Sequence, residues 1–124
     1  MTAYLQNIHP VLPVKDVNSA IEYYCANLGF KLTFVDNPET PAYAGLLRDG
    51  VTLHLQWHHK DEWQTGVDRP LLRIYTDEVD VLYDEFSSKN VFHKETQLRD
   101  TEWGTREFGI YDPFSNGLIF YRDL

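Results

Sequence analysis

The chain carries one pattern twice, and that repeat limits the folds open to it more than any other feature. In the first copy a strand around HPVLP precedes VKDVNSAIEYYCANLGF. There Val17, Ala20, Ile21, Tyr24, Cys25 and Leu28 recur at the spacing of one helix face. Asp16 or Asn18 can cap the start of this helix, and Gly29 stands where a left-handed C-terminal cap belongs. Three β-rich segments follow, KLTFVDN, AYAGLLRDG and VTLHLQWHH, separated by PETP and by the Asp49-Gly50 turn. The last alternates, with Val51, Leu53, Leu55 and Trp57 on a core face and Thr52, His54, Gln56 and His58 on the other.

A charged, Gly- and Pro-containing stretch, KDEWQTGVDRP, then reads as a connector, after which the pattern restarts. LLRIYT is expected as a strand, and DEVDVLYDEFSSKN as a helix with Val79, Leu82, Tyr83 and Phe86 on one face. VFHKETQL, TREFGIY and GLIFYRD are expected as three more strands. The period of about 60 residues is too long, and two copies are too few, for a solenoid. The expectation is an α+β protein of two βαβββ modules in a pseudo-two-fold arrangement, module 1 over about 7–58, the connector over about 59–69 and module 2 over about 70–124. Each sheet keeps one face for its helix, and the free faces can flank a cleft.

Composition removes several alternatives. The 124 residues fit one domain of two small halves, and no apolar run approaches the ~20 residues of a bilayer span. MTAYLQNIHPVL lacks a basic leader and an apolar core, so no secretory signal is expected. A lone Cys25 forms no internal disulfide, in keeping with a reducing, cytoplasmic setting. Nineteen acidic against 11 basic residues give a net charge of −8 with no Lys/Arg cluster, which disfavours nucleic acid and membrane surfaces as partners.

HPVLPVKDVNSAIEYYCANLGF at the start and EWGTREFGIYDPFSN near the end resemble the glyoxalase/bleomycin-resistance/dioxygenase superfamily, also called vicinal oxygen chelate. WGTREF followed by DP..N is similar to its bleomycin-binding branch. The resemblance covers His9 to Arg122 and implies a homodimer, with exchange of the first strand between subunits and a bleomycin-like ligand in a groove at the interface. It also implies the side chains that would form that groove. Trp103 stands at the aromatic position, presented by the turn at Gly104, and Phe34 and Tyr43 match ring positions of module 1. Stacking suits a planar heteroaromatic tail because it needs no hydrogen-bond matching. Asp36, Glu39, Asp61 and Glu62 are expected at the rim facing a cationic ligand. Arg73 stands where some relatives carry a ring, and it can stack but repels a cation.

Enzymes of the superfamily hold a divalent metal through four positions, which the resemblance lays onto His9, His54, Leu71 and Ile119. Two of the four are aliphatic and have no lone pair to offer. No cofactor and no catalytic residue is therefore expected, and His9 and His54 read as hydrogen-bonded histidines lining a cavity. The alternative is a metalloenzyme in which His9 and His54 are completed by His58 or Gln56, with Glu107 as general base. A binding module for another planar metabolite is a third reading.

Overall fold

The computed structural model describes residues 1–124. In module 1, strand β1 (Val11–Val14) leads to helix α1 (Val17–Leu28) and strands β2 (Lys31–Val35), β3 (Tyr43–Arg48) and β4 (Val51–Trp57). A short helix α2 (Lys60–Thr65) follows. Module 2 then comprises β5 (Leu71–Tyr75), α3 (Val79–Ser87), β6 (Arg99–Asp100), β7 (Thr105–Tyr111) and β8 (Gly117–Asp123). The sheets have matching orders, β1-β4-β3-β2 and β5-β8-β7-β6, with the first and last strand of each module paired in parallel.

Local chemistry sets the boundaries of α1. The Asp16 carboxylate accepts from Ser19 N at 3.1 Å, and Gly29, at φ 76°, closes the other end with its N–H on Tyr24 O. The helix buries Val17, Ala20, Tyr24 and Leu28 against β2, β3 and β4, while Val79 and Phe86 of α3 pack on β7 and β8. The two sets meet in one core of 18 buried side chains, so the modules share their helix-side interior and leave the opposite sheet faces open. Across the seam, Arg48 makes a bidentate ion pair with Glu85 at 2.8 and 2.9 Å and donates to Leu28 O.

Three expectations are corrected. VFHKETQL is not a strand. Thr96 turns it by accepting from His93 N and donating to Gly109 O, so that only Arg99 and Asp100 pair with β7. The connector is not wholly irregular, because His59 and Glu62 form a capping box that starts α2. Trp57 is not core: it lies at the end of β4, half exposed, edge-on to His59.

Strand β1 pairs with β4 of its own chain. Upstream of it, residues 1–10 make no secondary structure and leave Tyr4, Leu5 and Ile8 exposed.

Candidate functional site

Cross-strand register defines the two open faces. In sheet 1, Val11, His54, Gly45 and Phe34 lie side by side in one row. A β-bulge between Leu32 and Phe34 shifts the register and brings the Phe34 ring to the open face, directly over Gly45. Phe34 is 45% exposed there; it stacks on Tyr43 at 6.1 Å between centroids and meets His54 edge-on at 5.4 Å. Gly45 makes this possible, since a Cβ would fall 2.2 Å from the Phe34 ring. The Tyr43 hydroxyl and His54 Nδ1 are 2.8 Å apart. Burial, and then the neighbouring His9, hold the His54 pKa below its usual value, which favours the neutral form of the imidazole on this aromatic face.

In sheet 2 the corresponding row is Arg73, Ile119 and Gly109, with Tyr75, Tyr121, Glu107 and Arg99 in the next. The registers thus bring His54 into correspondence with Ile119, and Tyr43 with Glu107. Trp103 sits in the turn closed by Thr101 and Thr105, followed by Gly104 at φ +89°, a conformation that glycine adopts without strain. Trp103 is 62% exposed, with the Arg99 guanidinium 5.7 Å from the ring centroid. The indole N–H is tied down, donating to Glu107 Oε1 at 3.2 Å.

Glu107 organises this face although it is only 4% exposed. Its Oε1 accepts from Thr105 Oγ1 at 2.7 Å and Arg73 Nη2 at 3.3 Å as well as from Trp103. Burial alone would raise its pKa, but the Thr105 hydroxyl, the Arg73 guanidinium and the Trp103 N–H outweigh it and keep the carboxyl below its usual value. Arg73 lies over the Tyr121 ring at 4.3 Å. Sequence reasoning considered Glu107 only as a base for a metal reaction; its position two residues from Thr105 on an alternating strand was the available signal.

The remaining expected site residues are dispersed. Asp36 Oδ1 closes its own loop, accepting from the N–H groups of Asn37, Ala42 and Tyr43, and the Ala42 N–H foremost holds its pKa low. Glu39 is exposed on the same loop, its N–H on Asn37 Oδ1. Asp61 is exposed on the first turn of α2, whereas Glu62 is engaged by His58 at 2.6 Å and by the His59 N–H. His9 and His54 do come together, with ring centroids 5.1 Å apart. No group of three His, Cys, Asp or Glu side chains is arranged to hold a metal ion, around them or elsewhere, and His58 faces Glu62 instead.

The DP..N motif is not part of either open face. Asp112 Oδ1 accepts from Phe114 N and Asn116 N, and Oδ2 from Asn116 Nδ2 at 2.9 Å and the Tyr24 hydroxyl at 2.7 Å. Asn116 also donates to Pro13 O at 3.0 Å. The β7–β8 turn of module 2 is thereby latched to β1 and α1 of module 1, inside the core.

Two βαβββ modules share one core, and each leaves an open sheet face bearing rings and titratable groups. The chain belongs to the glyoxalase superfamily: a family model described as "Glyoxalase superfamily protein" matches residues 2–123. A bleomycin resistance protein of Geobacillus stearothermophilus is 31% identical over 97% of this chain and 98% of its own length. Among solved structures, TioX from Micromonospora sp. ML1 superposes with a TM-score of 0.79 at 17% identity, over 96% of this chain and 99% of that one. The bleomycin-binding protein from bleomycin-producing Streptomyces verticillus, complexed with copper(II)-bleomycin, gives 0.78 at 23% identity, over 96% and 97%. The structural likenesses establish the fold.

Proposed function

We propose that this chain is a non-catalytic, cytoplasmic binding protein that confers resistance by sequestering a bleomycin-type glycopeptide, one molecule per chain. The observation that carries the reading is Trp103, a large ring left open at a glycine turn yet fixed in orientation by its bond to a buried carboxylate. A ring held this way is pre-organised for stacking, which limits the ordering cost of binding. Near-full-length similarity to a bleomycin resistance protein points to the same ligand class.

Phe34 and Tyr43 supply a second stacking surface, on module 1, and Trp103 with Arg73 the first, on module 2. No ring contact or hydrogen bond joins the two sets within one chain. The reading therefore includes a two-fold homodimer in which module 1 of one subunit faces module 2 of the other. In such a dimer the first strand, around HPVLP, would be exchanged between subunits, and the exposed Tyr4, Leu5 and Ile8 ahead of it would lie on the partner. Glu39 and Asp61, with the net charge of −8, would draw a cationic ligand toward the groove. Leu71 and Ile119, aliphatic at two of the four positions used by the metalloenzymes of the superfamily, support the absence of catalysis.

The test is a titration of bleomycin into chelator-treated protein, followed by tryptophan fluorescence. Saturable quenching at one ligand per chain is expected, with affinity falling about tenfold or more in Trp103→Ala. No quenching at high ligand concentration, or equal binding by Trp103→Ala, would sink the reading.

A further inference from the structure

Glu107 is unevenly used. Three donors converge on Oε1, yet no protein donor reaches Oε2, and Oε2 is not among the buried polar atoms left without a partner. A carboxylate on a side chain only 6% exposed thus keeps one oxygen at the open face. Arg73 is the complement. It touches Glu107 through Nη2 alone, at 3.3 Å, and its Nε and Nη1 bond to no protein group. Arginine and carboxylate commonly close into a two-bond fork. Here only one bond of such a fork is made, which leaves one carboxylate oxygen and the remaining guanidinium donors of this pair without protein partners, in a group that also holds the Trp103 indole.

The geometry points to a subsite for an amide-like edge, a group presenting an N–H and a C=O on the same side. The N–H donates to Glu107 Oε2, the carbonyl accepts from Arg73, and an adjoining planar ring lies on Trp103. This assignment rests on the ligand-binding reading of the open face and names what that face selects. A pure cation would meet Arg73 and a carboxylate would meet Glu107, so each is opposed by one member of the pair. The neutral donor–acceptor edge satisfies both.

Small probes test the subsite without the full ligand. ¹H–¹⁵N spectra report the Trp103 indole N–H and the Arg73 Nε–H, with Trp103→Phe assigning the indole signal. Benzamide is expected to shift both signals saturably and to bind roughly tenfold more tightly than N,N-dimethylbenzamide, which has no N–H for Oε2. Benzoate and benzamidine should both bind more weakly than benzamide. In Glu107→Gln, whose side chain would turn a donor outward, the preference for benzamide over its dimethyl analogue should disappear. Equal affinities of the two amides for the parent protein, absence of shifts, or a preference retained in Glu107→Gln would each overturn the assignment. Bleomycin titrated into the same sample separates the two readings. Discrimination between the amides without bleomycin binding leaves the subsite standing and removes the proposed ligand. Bleomycin binding without discrimination does the reverse.

Discussion

Asp112 and Glu107 are both 4% exposed, and both sit on or just after the same strand, β7, yet they do opposite work. Asp112 has four donors divided evenly between its oxygens, and every one of them is a neutral group. Glu107 has three donors crowded on one oxygen, one of them a guanidinium, and leaves the other oxygen open. Burial does not separate a structural carboxylate from a ligand-reading one; the distribution of hydrogen bonds does. A saturated carboxylate holds the protein together, and a half-saturated one is available to something else.

The largest effect expected from breaking this contrast is at Asp112. Asp112→Ala leaves the Tyr24 hydroxyl, one of the two Asn116 Nδ2 hydrogens and two backbone N–H groups without their acceptor inside the seam between modules. It should cost about 3–5 kcal/mol of stability, read as a lower midpoint in urea unfolding. Because neither open face is touched, the protein that remains folded should bind bleomycin as the parent does. A loss below about 1 kcal/mol, or a binding defect in well-folded protein, would place Asp112 with Glu107 after all.

The two rows of the open faces offer a second, smaller contrast. Gly45 and Gly109 hold equivalent places, opposite His54 and Ile119. A Cβ on Gly45 would collide with the Phe34 ring at 2.2 Å, whereas on Gly109 it would make ordinary contact with Ile119 at 3.5 Å. Gly45→Ala should therefore destabilise by roughly 1–3 kcal/mol and displace the ring, while Gly109→Ala should be tolerated within about 0.5 kcal/mol. Similar unfolding midpoints for the two variants would mean that Phe34 does not lie on the sheet as described.

Much of the fold was legible in the sequence because its signals were local. The apolar stripe from Val17 to Leu28, Asp16 before it and Gly29 after it delimit α1 without help from elsewhere. What escaped depends on partners far along the chain or on shifts of register. The latch joins Asp112 to Tyr24, 88 residues away, so DP..N reads as a motif with no visible purpose. Phe34 cannot be assigned to a face by alternation, because the bulge at Leu32–Phe34 changes the parity of the strand. Helix α2 was hidden by its unusual cap, a histidine, and by its length. Its Trp63 is flanked by Lys15 and Arg69, at 5.2 and 5.4 Å from the ring, contacts that are made only after folding. Glu107 was visible as a carboxylate on a strand, but not as one with a single free oxygen.

The smallest effect is a pH dependence that distinguishes Glu107 by its charge. Its carboxyl is held below the ordinary value in the folded protein, so the unfolded chain binds the proton more readily. The stabilisation from ionised Glu107 is then fully present above the unfolded pKa of about 4.3 and is lost as pH falls through the lower folded value. Arg73 is the cation that faces it, at 3.3 Å. Glu107→Gln keeps an acceptor for Thr105 and Trp103 but removes the titration. The parent should therefore exceed Glu107→Gln in stability by a small, constant margin from pH 8 to about pH 5, narrowing below that. Unfolding midpoints measured in parallel across the range check this. A margin that stays flat down to pH 3 would mean that the charge on Glu107 adds nothing to the folded state, leaving Arg73 as a neighbour and not a partner.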